Sequence, residues 1–182
     1  MLYEAKRFTL KDGREAVLRN PNPEGDAAAM IEVLTRICGE TEFLLRYPEE
    51  CKWTVEQEQS VLEGINRAEG RLMLVCEVDG AVVGMCGLNL YPQLKFRHRA
   101  DVDVGIRSAF WGQGIGTAMF EAMLSVAREK GLRQVELDYI DGNARGRALY
   151  EKMGFVKVGE RPDAVRLKDG SYRSLVLMMK RL

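Results

Sequence analysis

Two β-rich runs, Arg71 to Val78 and Ala81 to Leu90, flank an Asp79-Gly80 pair, a strong signal for a tight hairpin. Shorter runs from Tyr3 to Leu10 and from Glu15 to Arg19 meet at Lys11-Asp12-Gly13, a second hairpin signal. Arg97 to Ile106 is a further strand, after the break at Pro92. Helical spacing then appears in Ala27, Met30, Ile31, Leu34 and Ile37, predicting a helix over Glu24 to Cys38 with Gly39 at its end. Thr54 reads as the N-cap of a helix reaching about Ala68, with Gly70 as the stop.

The second half carries the clearest pattern. Ile115, Met119, Ala122, Met123 and Val126 share one helical face over Gly114 to Lys130, and Phe120, Leu124 and Ala127 widen it. So broad an apolar arc belongs against a sheet. Gly131 suits the C-terminal cap. Gln134 to Ile140 is the next strand, so strand, helix and strand imply a parallel pair with a right-handed crossover. Asn143 to Met153 reads as a short helix ended by Gly154. Phe155 to Val158 and Tyr172 to Lys180 are the last strands, joined by a polar, glycine-containing loop. With no repeat, low-complexity tract or linker, the expectation is one mixed α/β domain over residues 1–182.

Composition narrows the function. Lys and Arg number 27, as do Asp and Glu, so no global field points to nucleic acid or an anionic membrane. No segment resembles a signal peptide or a membrane span, and the expected location is cytoplasmic. Cys38, Cys51, Cys76 and Cys86 are irregularly spaced without a Cys-x-x-Cys pair, and His98 is the lone histidine. A Cys/His zinc site is therefore not expected, and Cys76 and Cys86 read as reduced, small strand residues.

Candidate chemistry gathers at Trp111-Gly112-Gln113-Gly114-Ile115-Gly116-Thr117, between a strand and a helix. A helix start offers free backbone N–H groups and positive potential, and glycines let a bulky anion approach. No Lys-Ser/Thr follows the glycines and no acid stands at Rossmann spacing, which argues against a nucleotide-phosphate enzyme.

This turn, with the strand from Val102 leading into it, resembles one motif of the GNAT acyl-CoA-dependent N-acyltransferases. The stretch from Asn143 through Leu149-Tyr150-Glu151-Lys152 to Gly154-Phe155 resembles a second. The order of elements fits that family from about Glu15 to Leu182. The resemblance implies a GNAT-like fold: one mixed, centrally splayed sheet of about six or seven strands flanked by helices, with an extra N-terminal strand near residues 3–10. It implies acetyl-CoA as cosubstrate, its pyrophosphate on the N–H groups of Gly112, Gln113, Gly114, Ile115, Gly116 and Thr117. The pantetheine arm would lie along Val104, Gly105 and Ile106 and against Asn143, which is equally a helix N-cap. The family usually has Arg or Gln where Trp111 stands, and Arg107 is a substitute cation.

Transfer to an amine needs a neutral nucleophile, and a primary amine has a pKa near ~10. The resemblance makes Tyr150 the proton donor to the departing sulfur. For the base, Asp138 is the first choice, acting through water. Strand alternation groups it with Glu136 and groups Asp101 with Asp103. A backbone N–H near Ile106 would polarise the carbonyl. His98, among Lys95, Arg97 and Arg99, is given no catalytic role. The acceptor site is expected from the first two helices, the loop Glu40 to Trp53 and the last hairpin. The acidic lean of that region favours a cationic amine, on a small molecule or a protein. The alternative is a non-catalytic acyl-CoA sensor with the same fold. Family habit adds a homodimer.

Overall fold

The computed structural model describes residues Met1–Leu182. Its strands are β1 (Lys6–Thr9), β2 (Glu15–Arg19), β3 (Arg71–Val78), β4 (Ala81–Leu90), β5 (Arg99–Ile106), β6 (Gln134–Ile140), β7 (Val156–Arg166) and β8 (Tyr172–Arg181). They form a single sheet of eight in the order β1-β2-β3-β4-β5-β6-β8-β7. The mixed α/β class is as expected, and the added N-terminal strand brings the count to eight. Only β5 and β6 run parallel; every other neighbour is antiparallel. Asp79 and Gly80 both take positive φ (52° and 78°), the backbone a type I′ hairpin requires.

The helices α1 (Pro23–Glu40), α2 (Val55–Arg67), α3 (Ile115–Glu129) and α4 (Ala144–Lys152) cover the two faces. Asn22 caps α1 by accepting from the N–H groups of Glu24 and Gly25 (3.1 and 3.3 Å), and Thr54 forms a capping box with Gln57 at α2. Alternation in β3 sends Leu72, Leu74 and Cys76 into the core beneath α3, while Val75 packs with Ala27, Met30, Ile37 and Leu62 beneath α1 and α2. Burial on both sides explains why β3 reads as an almost continuous apolar run. None of the helices is long and apolar enough to cross a membrane.

Two boundaries differ from the sequence reading. Helix α1 runs through Gly39 and ends at Thr41 in extended backbone, since Gly39 does not adopt positive φ. Strand β7 extends to Arg166, well past Val158. It is an edge strand, nearly all exposed, so its polar residues satisfy water on both faces and give no alternation to read.

The decisive feature is where β5 and β6 part. They pair only at Arg99–Gln134, Ala100–Val135 and Asp101–Glu136. Beyond that level β5 stays on β4 as far as Ile106, and β6 stays on β8 as far as Ile140. Each strand keeps its outer partner and leaves its inner edge open. A cleft through the sheet results.

Candidate active site

A cavity of about 1090 Å³ occupies this cleft, lined by β5, β6, the glycine turn, α4, the end of α1 and the loop after it. Its β5 wall is backbone. Arg107 N–H donates to the Val83 carbonyl, so Gly84 and Ile106 face each other as a non-hydrogen-bonded pair. By the antiparallel alternation, Val104 and Ile106 turn their N–H groups away from β4, toward the side β6 has left. The Ile106 carbonyl is already taken: the Trp111 indole N–H donates to it at 2.7 Å.

Gly112 and Gly114 take positive φ (78° and 98°), a conformation that strains any residue with a Cβ. Gly114 is the N-cap of α3 and offers no side chain to its N–H groups, so this helix start remains electrostatically positive. Gly116 is tight instead of strained, since a Cβ there would come within 2.7 Å of Leu149 on α4. The turn's cations come from elsewhere in the chain. Arg145, in the first turn of α4, stacks its guanidinium 4.9 Å from the Trp111 ring centre. Lys152 donates to the Thr117 hydroxyl at 3.0 Å, and Lys11 also lines the cavity. Trp111 therefore seats a cation beside the turn. Arg107 does not serve as the substitute: it turns to Glu40 (3.6 Å) and lies outside the cavity lining. Arg145 and Lys152 were missed in the sequence, although seven residues apart on a helix is a shared face.

Gln113 alone among the expected binding residues is absent from that lining. Its side-chain carbonyl accepts from Asp12 N–H (3.1 Å) and its backbone carbonyl from Lys11 N–H, which ties the turn to the β1–β2 hairpin. Val104, Gly105, Ile106, Gly112, Gly114, Ile115, Gly116, Thr117 and Asn143 all line the cavity with Tyr150 and Asp138. Asn143 caps α4, its side-chain oxygen accepting from Gly146 N–H at 2.8 Å.

Tyr150 is buried between Phe120 (ring centres 5.7 Å apart, edge-on) and Tyr139 (5.7 Å). Its hydroxyl has no protein hydrogen-bond partner. Burial, with smaller contributions from Tyr139 and Asp138, pushes the phenol up to about 12, so it keeps its proton at neutral pH. Asp138 is not a free carboxylate: Arg161 of β7 donates to it at 2.6 Å. Glu136 is likewise engaged, with Arg99 and Gln134. His98 is exposed ahead of β5, outside the cavity. The loop wall bears Phe43, Leu44 and Leu45, and behind it the Cys51 thiol lies 3.9 Å from Cys38 of α1.

A mixed sheet parted beside an uncapped, cation-flanked helix start defines an α/β protein with a deep cleft through its sheet. Residues 29–155 match the model of the Acetyltransferase (GNAT) family, and the chain belongs to that family. It is 33% identical over 84 residues to an uncharacterised N-acetyltransferase of Methanocaldococcus jannaschii, a match covering 44% of this chain and 37% of that relative's length. Among solved structures it resembles an acetyltransferase of the GNAT family from Streptococcus pneumoniae. There the TM-score is 0.86 at 24% identity, covering 92% of this chain and 99% of the other. It also resembles a ribosomal-protein-alanine N-acetyltransferase from Brucella melitensis, with TM-score 0.78 at 28% identity over 91% and 99% of the two chains.

Proposed function

We propose that the protein transfers an acetyl group from acetyl-CoA to a primary amine, by direct attack within a ternary complex. The observation that carries this reading is that one cavity joins three features: a positive, uncapped helix start, an unbonded strand edge and a protonated phenol. The residues suit acetyl-CoA. Backbone N–H groups of Gly114 to Thr117, with Arg145, Lys152 and Lys11, match a pyrophosphate. The open edge at Val104 and Ile106 matches the amide groups of a pantetheine arm, which would add to β5 as a strand does. Gln113 would contribute backbone alone, and the Asn143 amide NH₂ is left for the arm while its oxygen caps α4.

In this mechanism the N–H of Ile106 polarises the thioester carbonyl. A preorganised donor of this kind contributes ~3 kcal/mol to acyl transfer. Tyr150 protonates the sulfur as it departs, and its high pKa ensures that the proton is present at pH 7. The acceptor is an amine of a small molecule or of a protein, received on the α1 side of the cleft. Calorimetry with acetyl-CoA, followed by thiol release over an amine panel, tests the reading. Saturable binding and turnover are expected; absence of acetyl-CoA binding would sink it. Binding without turnover on any amine would favour an acyl-CoA sensor.

A further inference from the structure

The parting of β5 and β6 fixes which carboxylates meet the acceptor. Asp101 and Glu136 are the last partners across these strands. Two residues further on, past the split, Asp103 and Asp138 are the next residues on that same face by strand alternation. Gly105 shares that face, and a Cβ on it would sit 3.5 Å from Ile37 of α1. Two carboxylates thus flank the cleft on its α1 side, whereas Tyr150 packs on Tyr139, which points to the other face.

Their electrostatic situations differ. Asp138 is matched by Arg161 at 2.6 Å. Asp103 has no cation within ion-pair distance; it accepts one neutral hydrogen bond, from the Asn89 amide at 3.2 Å. Its carboxylate lies over Gly87 of β4, where an added Cβ would come within 2.6 Å of Oδ2. Glycine is what leaves that oxygen its place. Asp103 is exposed at the cleft; the protein packed around it, more than the charge of Asp101, raises its pKa against the opposing effects of Asn89 and Arg71. Beside it the cavity wall is apolar: Leu34, Ile37, Leu44 and Leu45, the last of these 70% exposed.

We infer that Asp103, not Asp138, receives the acceptor's ammonium and takes its proton, and that the acceptor is a primary amine carried on an apolar body. This rests on the acetyl-transfer reading above. The R–NH₃⁺ group gives its first proton to the Asp103 carboxylate. The neutral nitrogen then forms the N–C bond while the C–S bond breaks, and the sulfur takes the Tyr150 proton. The second nitrogen proton passes through solvent to the Tyr150 phenolate, and Asp103 releases its own to solvent. Ammonium and thioester become amide, thiol and one proton. The charged or titratable groups around Asp103 are Asp101 on its strand, Arg71 beyond Asn89, Cys86 on β4, Cys38 on α1, Arg46 on the loop and the Asp138–Arg161 pair across the cleft.

The test compares wild type, Asp103→Asn and Asp138→Asn with 2-phenylethylamine, hexylamine and phenylalanine as acceptors. Asp103→Asn is expected to lower kcat/KM at pH 7 by about 10²-fold, with the deficit shrinking as pH approaches the amine's own pKa, where no base is needed. Its acetyl-CoA affinity should be unchanged, which establishes that the variant is folded. The two apolar amines should exceed phenylalanine at least tenfold, because an added carboxylate meets Asp103. Wild-type kcat/KM and pH profile in Asp103→Asn, or the same loss appearing in Asp138→Asn instead, would overturn the assignment. Equal use of phenylalanine would overturn the substrate class. Should acetyl-CoA bind but no amine react, the transfer reading fails and calorimetry decides the site. Tenfold weaker binding of 2-phenylethylammonium to CoA-saturated Asp103→Asn upholds it; equal binding refutes it.

Discussion

Tyr150 separates packing from chemistry within one side chain. Its ring belongs to a cluster with Phe120 and Tyr139, and its hydroxyl is the part without a protein partner. Tyr150→Phe should therefore keep the melting temperature and acetyl-CoA affinity while kcat falls about 10²-fold or more, as measured by thiol release. Arg145 poses the complementary question. Stacked on Trp111 and presented to the glycine turn, it supports a bound anion without touching the acyl carbon in this reading. Arg145→Ala removes a charge-assisted hydrogen bond of ~1.5–3 kcal/mol, equivalent to roughly tenfold or more in CoA affinity. Titrations at low and high salt should show the difference narrowing as salt rises. Trp111 illustrates how a residue type misleads when read alone. It stands where the family usually has Arg or Gln, yet its indole N–H holds the Ile106 carbonyl and its ring face seats the cation.

Among the elements, α1 is anchored at its first turn by Asp26, the one buried charged residue. Burial alone would raise its pKa. Two hydrogen bonds from Arg19 (2.6 and 3.0 Å) and one from Asn22 N–H (2.6 Å) outweigh that, so the net shift is downward. A folded-state pKa below the unfolded value contributes stability that is fully present above the unfolded value. That stability is lost as pH falls through the folded one. Asp26→Asn should destabilise the protein by ~1–3 kcal/mol at pH 7, and urea melts should show the gap closing from about pH 4 downward. Because α1 carries Leu34 and Ile37 to the acceptor side, the same variant tests whether that wall depends on the anchor. The opposite case is β7, an edge strand with little burial, whose contribution is the Arg161 that occupies Asp138.

For the whole molecule, the sheet is a single ladder interrupted at one place. β5 with the strands before it and β6 with those after it are joined there by only three paired positions. A ligand along the open edge would bridge the two parts. Acetyl-CoA at a hundred times its Kd should add ~2.7 kcal/mol of stability, and a thermal scan should rise by roughly 5–10 °C. Slower amide exchange at Val104 and Ile106 should accompany it, since those N–H groups have no partner strand without ligand.

Local pattern was enough for most of the elements. Hairpin glycines, the Thr54 cap, the wide apolar face of α3 and the two motifs are short-range features whose physics lies within a few residues, and they announced the hairpins, the parallel crossover and the glycine turn. The end of α1 and the length of β7 escaped that reading, because a helix continues through glycine when packing holds it and an exposed edge strand lacks alternation. Which charges pair was beyond it altogether. Arg107 with Glu40, Arg161 with Asp138, and Arg145 on Trp111 join residues distant in the chain, through contacts that exist only once the sheet is assembled. The sequence by itself determined that a glycine-rich helix start and a phenol stand on neighbouring elements. Tertiary structure alone decided which of two similar aspartates kept its charge unmatched, because that depends on what the fold brings to each from across the sheet.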